Sequence, residues 1–150
     1  MPDQLDYNRL RSLTIFSDLD KNELEIVYKR VFEQSIKKGS LLFVEGEPGE
    51  LLYIIMSGCV EIIKKTKYNE EIGLATMGAN EIVGEMSLID SEPRTATGRT
   101  SEDSVLMVIT KQKFDEILKS DPRIAAKILM GLLKVMSRRL RITTDKKFKR

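Results

Sequence analysis

Histidine is missing altogether from these 150 residues, and cysteine occurs once. The first absence removes the usual general base, the commonest metal ligand and the near-neutral pH switch. A hydrolase built on a serine–histidine–aspartate triad is excluded with it. The single cysteine, Cys59, permits no intramolecular disulfide, and its apolar setting reads as a small core hydrophobe. Neither a signal peptide nor an apolar run of membrane-spanning length is present, and the first ten residues are already polar. A cytoplasmic location without membrane contact is therefore expected. Charge of one sign is not in large excess either: the net charge is +2. No global field argues for nucleic acid or membrane, although positive charge gathers at the C-terminus. No nucleophile–base pair and no metal-ligand set emerges, so the chain is read as a non-enzyme without a cofactor.

What remains suits one domain over 1–150, long enough to bury a substantial core. Residues Gln4 to Leu13 carry Leu5, Leu10 and Leu13 at helical spacing and predict a short helix. Asp20 with Glu23 three residues later predicts a capping box, ahead of an apolar face of Leu24, Val27, Tyr28 and Val31. From Phe32 to Ile109 the texture changes to short β-branched runs punctuated by glycine. Predicted strands are Phe32–Ile36, Leu41–Val44, Leu51–Met56, Cys59–Lys65, Glu71–Met77, Ala96–Thr100 and Ser104–Ile109, which suits an antiparallel sandwich or roll. Ser57-Gly58 reads as a tight hairpin turn. Lys64, Lys65 and Lys67 before Tyr68-Asn69-Glu70-Glu71 read as a solvated hairpin tip. Thr110 can cap a helix over 111–118, and Asp121-Pro122 starts a longer one. On that longer helix Leu129, Leu133, Met136, Leu140 and Thr143 form one stripe. Ile124, Ile128, Leu132 and Val135 form a second. So wide an apolar face exceeds one contact surface: one stripe is expected to dock on the roll and the other to pack against a second protomer, the alternative being that both lie on the same domain.

One stretch breaks the β pattern. From Ile82 to Thr97 it places Gly84-Glu85 ahead of Arg94-Thr95-Ala96, with Glu85 and Arg94 nine residues apart. Gly84-Glu85-Met86-Ser87-Leu88-Ile89 reads as a helical turn, whose opening N–H groups suit an anion. Arginine adds planar, permanent donors suited to phosphate, and a carboxylate can accept from a sugar hydroxyl. The same residues could instead form a surface ion pair worth at most about 1 kcal/mol beside a glycine that relieves a strand end.

The stretch resembles the phosphate-binding cassette of the cyclic nucleotide-binding domain family. That pattern is Gly-Glu, a small-residue and leucine turn, a variable loop, then Arg-Ser/Thr/Ala-Ala. Here it is Gly84, Glu85, Ser87 and Leu88, the loop 89–93, then Arg94, Thr95 and Ala96. The segments from Gly39 to Gly49 and from Leu52 to Ile62 resemble the family's glycine-punctuated strands and signature hairpin. The resemblance runs from about Leu13 to Asp145. It implies an α+β fold: an antiparallel β-roll (double-stranded β-helix or jelly roll) flanked by N-terminal helices and a long C-terminal helix. The helices would cover about 1–31 and 111–150, with the roll at 32–110 and the cassette at 82–97.

The resemblance also implies a regulatory module. Glu85 would hold the ribose 2′-hydroxyl and Arg94 the cyclic phosphate. Thr95 would add a hydroxyl, and Gly84, Met86, Ser87 and Ala96 would contribute backbone. Thr95 could also reach a syn guanine, as in cGMP-preferring members. Residues 138–146 resemble a segment of the catabolite activator branch, where two hydroxyl residues contact the adenine amino group, one of them across a dimer. They correspond to Thr143 and Thr144, so cAMP is expected over cGMP. That branch continues into a helix-turn-helix domain, which is not expected here. Metal-dependent cupins and the haem- or Fe–S-sensing relatives need histidines, a cysteine cluster or an axial ligand absent from this sequence. The basic tail after Thr144 reads as a solvated terminus rather than a nucleic-acid contact. A homodimer through the C-terminal helix and an effector protein are the expected partners. A ligand-independent interaction module of the same fold is the alternative.

Overall fold

A computed structural model describes residues 7–90 and 92–148. The chain divides into two compact units, Arg30–Phe114 and Met1–Lys29 together with Asp115–Arg150.

The first unit is the β-roll. Its strands are β1 (Phe32–Ile36), β2 (Leu41–Phe43), β3 (Leu51–Ser57), β4 (Val60–Lys65), β5 (Glu71–Met77), β6 (Ile82–Val83), β7 (Thr97–Thr100) and β8 (Ser104–Thr110). They form two four-stranded antiparallel sheets, ordered β1-β8-β3-β6 and β2-β7-β4-β5. Between the sheets Tyr53, Ile55, Val60, Val83, Leu106 and Val108 make the buried core, with Phe43, Ile62 and Met77 packed against it. The central strands β3 and β8 are buried on both faces, since Leu52, Ile54, Met107 and Ile109 are also inaccessible. That explains why their sequences run apolar without alternation.

The predicted strands form within one or two residues of their expected ends. The hairpin at Ser57-Gly58 does not. β3 pairs with β8 and β6, while β4 pairs with β5 and β7, so this turn carries the chain from one sheet to the other. Gly58 holds φ +99°, and a Cβ there would lie 2.2 Å from Ser104 Oγ. A local turn signal gives the reversal but not the partner strand. Strand β6 is two residues long, too short for periodicity to mark. The lysine-flanked tip between β4 and β5 is a true hairpin, with Asn69 at φ +65° and Thr66 N–H bonded to the Glu70 carbonyl at 2.9 Å.

The helical unit holds α1 (Tyr7–Arg11), a 3₁₀ turn at Thr14–Phe16, α2 (Lys21–Tyr28), most of α3 (Lys111–Ser120) and α4 (Pro122–Phe148). Gln4 to Asp6 of the expected first helix lie outside the described residues, as do Lys149 and Arg150 of the basic tail. The capping box forms: the Asp20 side chain accepts from Glu23 N–H at 2.9 Å, and the Glu23 side chain accepts from Asp20 N–H at 3.0 Å. Glu23 also accepts from Lys127 Nζ at 2.8 Å, which ties α2 to α4. Thr110 Oγ1 accepts from Lys113 N–H at 3.0 Å, as a cap for α3 should. On α4 the stripe Ile124, Ile128 and Leu132 is buried, and Gly131 sits against the Ile15 backbone of the 3₁₀ turn. Leu133 and Leu140 of the other stripe are 58% and 68% exposed. No described helix is long and apolar enough to cross a membrane.

Candidate functional site

The break in the β pattern becomes a short excursion from the end of β6. Val83 pairs with Tyr53 of β3, which fixes the departure point of the chain. Gly84 then adopts φ +76°, ψ +24°, a left-handed conformation that an L-residue holds only at a cost. A 3₁₀ turn follows over Glu85–Leu88, closed by the Ile89 and Asp90 N–H groups on the Met86 carbonyl, each at 3.0 Å. Leu88 is buried and anchors the turn, whereas Met86 faces outward. The opening amides of such a turn have no carbonyl within it to bond.

Arg94 is held at both its backbone and its guanidinium. Its N–H donates to the Glu47 carbonyl and its carbonyl accepts from Gly46 N–H, both at 2.8 Å. Pro93 pairs with Pro48 in the same short ladder. The loop after β2 therefore sets where Arg94 leaves the backbone. At the other end, Nη2 donates to the Leu51 carbonyl at 2.9 Å. Cζ lies 4.6 Å from the centroid of the Phe43 ring. Nη1 comes within 2.6 Å of the place where a Gly84 Cβ would be. The guanidinium thus rests against the first residue of the excursion, and only glycine leaves room for it.

Burial lowers the proton affinity of the half-buried guanidinium, while Tyr53 and Glu85 act in the opposite direction. Arginine stays charged through such a shift. The Glu85 carboxylate is thus near enough to be felt by Arg94, within a half-buried setting. Tyr53 shows the reciprocal effect: burial raises its pKa and Arg94 lowers it. Its hydroxyl donates to the Leu42 carbonyl at 3.2 Å.

The structure brings Gly84, Glu85, Arg94 and the backbone of Met86 and Ser87 into one excursion and its facing loop. Thr95 follows Arg94 with its side chain exposed, and Ala96 is half-buried before β7. Thr143 and Thr144 belong to the other unit. Both are exposed on α4, and Thr143 Oγ1 donates to the Arg139 carbonyl one turn back at 2.9 Å. Sequence reasoning missed the supports of Arg94: Phe43, the Leu51 carbonyl and the Glu47 carbonyl. Their one sequence-level trace is an aromatic residue on a strand whose partner carries a glycine, since Phe43 pairs with Gly98. Fifty-five residues separate that pair, so no local pattern joins them.

The family model for the cyclic nucleotide-binding domain matches residues 33–121. Over 131 residues the chain is 30% identical to the CRP-like cAMP-activated global transcriptional regulator of Mycobacterium tuberculosis. That match covers 87% of this chain and 57% of the relative, so the chain spans little more than half of that protein's length. The N-terminal domain of a transcriptional regulator from Streptomyces coelicolor superposes with a TM-score of 0.76 at 31% identity, covering 94% of this chain and 96% of that one. A cyclic nucleotide-binding domain from Methylobacillus flagellatus superposes with a TM-score of 0.84 at 26% identity, over 93% and 80% of the two chains. With a family model that spans more than half of its length and an antiparallel roll interrupted at the cassette, this chain belongs to the cyclic nucleotide-binding domain family.

Proposed function

We propose that this chain is a non-enzymatic sensor of a cyclic nucleotide, with cAMP preferred, acting as a regulatory module in the cytoplasm. The observation that carries the reading is the seating of the Arg94 guanidinium against Gly84 at the head of the 85–88 turn. A preorganised arginine facing the opening amides of a turn suits one phosphate. In this reading Arg94 and the Thr95 hydroxyl take the cyclic phosphate, and Glu85 takes the ribose 2′-hydroxyl. Gly84, Met86, Ser87 and Ala96 supply backbone groups.

The preference for cAMP rests on Thr143 and Thr144 as partners of the adenine amino group, one of them from a second protomer. The mycobacterial relative described as cAMP-activated supports it. Dimerisation through the exposed stripe of α4 belongs to the same reading, as Leu133 and Leu140 there are exposed. Ligand binding draws the Gly84–Leu88 turn inward and repositions α4, whose surface then meets an effector protein. The size of that shift is bounded by the ligand's differential affinity for the two states.

One observation favours cGMP instead: Thr95, which could reach a syn guanine, is exposed beside Arg94. Titration with cAMP and cGMP, with sedimentation followed in parallel, separates the readings. Tighter cAMP binding with a change in sedimentation supports the proposal. A clear cGMP preference sinks the roles given to Thr143 and Thr144. Binding of neither nucleotide leaves the ligand-independent interaction module.

A further inference from the structure

The Phe43 ring occupies an unusual seat. It lies flat over Gly98 of the neighbouring strand, so closely that a Cβ at Gly98 would fall 2.4 Å from a ring carbon. Tyr53, from the other sheet, stacks on it with centroids 6.4 Å apart and planes 16° from parallel. The Arg94 guanidinium lies over the same ring at 4.6 Å. Phe43 is therefore fixed from both sheets, and it carries the arginine. An arginine is costly to immobilise, because its long side chain has many rotamers to lose on binding. A ring that holds the guanidinium in place before the ligand arrives removes much of that cost. The ring's negative face also attracts the cation without taking up any of its N–H donors. The edge that carries Nη2 is satisfied by the Leu51 carbonyl, and the Nη1 side is turned toward Gly84.

We propose that Phe43, seated on Gly98 and braced by Tyr53, is a positioning residue that preorganises Arg94 for a phosphate at the 85–88 turn. This deepens the reading of the site as a cyclic nucleotide pocket. Gly98 belongs to the same device, because any side chain there lifts the ring from its seat.

The test changes the electronics of the ring and leaves its shape nearly alone. A trifluorinated phenylalanine at position 43 weakens the attraction for a cation while still filling the space. Calorimetric titration with cAMP is expected to show affinity reduced by about threefold or more, with the melting temperature close to that of the parent. Phe43→Leu should lower affinity further, and if that variant fails to fold the fluorinated one still decides. Unchanged affinity in the fluorinated protein overturns the proposal. Tighter binding overturns it as well, because the ring would then be holding Arg94 away from the ligand. A second arm needs no ligand: the Arg94 Nε–H resonance should be shifted upfield by the ring in the parent and return toward the free-arginine position in Phe43→Leu. If the parent binds no cyclic nucleotide, the sensor reading fails and this resonance alone judges the positioning role. An unshifted resonance in the parent sinks it.

Discussion

Replacing Gly84 with alanine sets a methyl group 2.6 Å from Arg94 Nη1 and makes an L-residue hold φ +76°. The backbone term alone costs about 1–2 kcal/mol. The clash acts on the arginine, which must move off its seat. Gly84→Ala should therefore lose more in cyclic nucleotide affinity than in unfolding free energy, as calorimetry and urea titration on the same preparation would show. Equal losses would mean the glycine serves only the backbone. Tyr53 gives a prediction in pH. Burial holds its hydroxyl above the ordinary tyrosine pKa, so the folded chain keeps that proton when the unfolded chain has begun to lose it. The resulting stabilisation is complete below about pH 10 and is lost as pH rises beyond it. Tyr53→Phe should fall less steeply in urea midpoint between about pH 9 and about pH 11 than the parent does. Gly84, Glu85 and Arg94 could be singled out in the sequence because they are close along the chain and break a β pattern. Phe43, Leu51 and Gly98 could not, because what joins them is strand register across long separations.

Gly131 is where two helix-scale effects compete. Alanine is favoured over glycine inside a helix by about 1 kcal/mol. Here, however, the new Cβ would stand 2.5 Å from the Ile15 carbonyl oxygen, a backbone atom that cannot swing aside. Overpacking of that kind costs about 1–3 kcal/mol, so Gly131→Ala should lower the melting temperature despite the better propensity. A higher melting temperature would show that the 3₁₀ turn yields easily. Helix caps were legible in the sequence because they are local: Asp20 with Glu23, and Thr110 three residues before Lys113. Strand positions were legible for the same reason, from apolar runs between glycines. The turn at Ser57-Gly58 was not, since the crossing between sheets depends on β8 and β7, which arrive about 40 residues later. The two stripes of α4 were visible as periodicity, and only the structure shows that Ile124, Ile128 and Leu132 are the buried set.

At the scale of the whole molecule, the exposed leucines of α4 raise the question of assembly. If α4 is the dimer surface, a charge at Leu140, which is 68% exposed, is placed against its counterpart in the partner. Leu140→Glu should then shift the protein to monomer in sedimentation equilibrium and leave its circular dichroism unchanged. Parent and variant sedimenting alike would remove α4 as the dimer surface. In the proposed reading the roll holds a cyclic nucleotide and Arg94 takes its phosphate, and that reading rests on the seating of the guanidinium against Gly84. The most direct test is cAMP titrated by calorimetry into the parent and into Arg94→Ala. A charge-assisted hydrogen bond is worth about 1.5–3 kcal/mol, so the substitution should weaken binding at least about tenfold. An Arg94→Ala protein that binds cAMP within about threefold of the parent would contradict the account, because such a difference is under 1 kcal/mol.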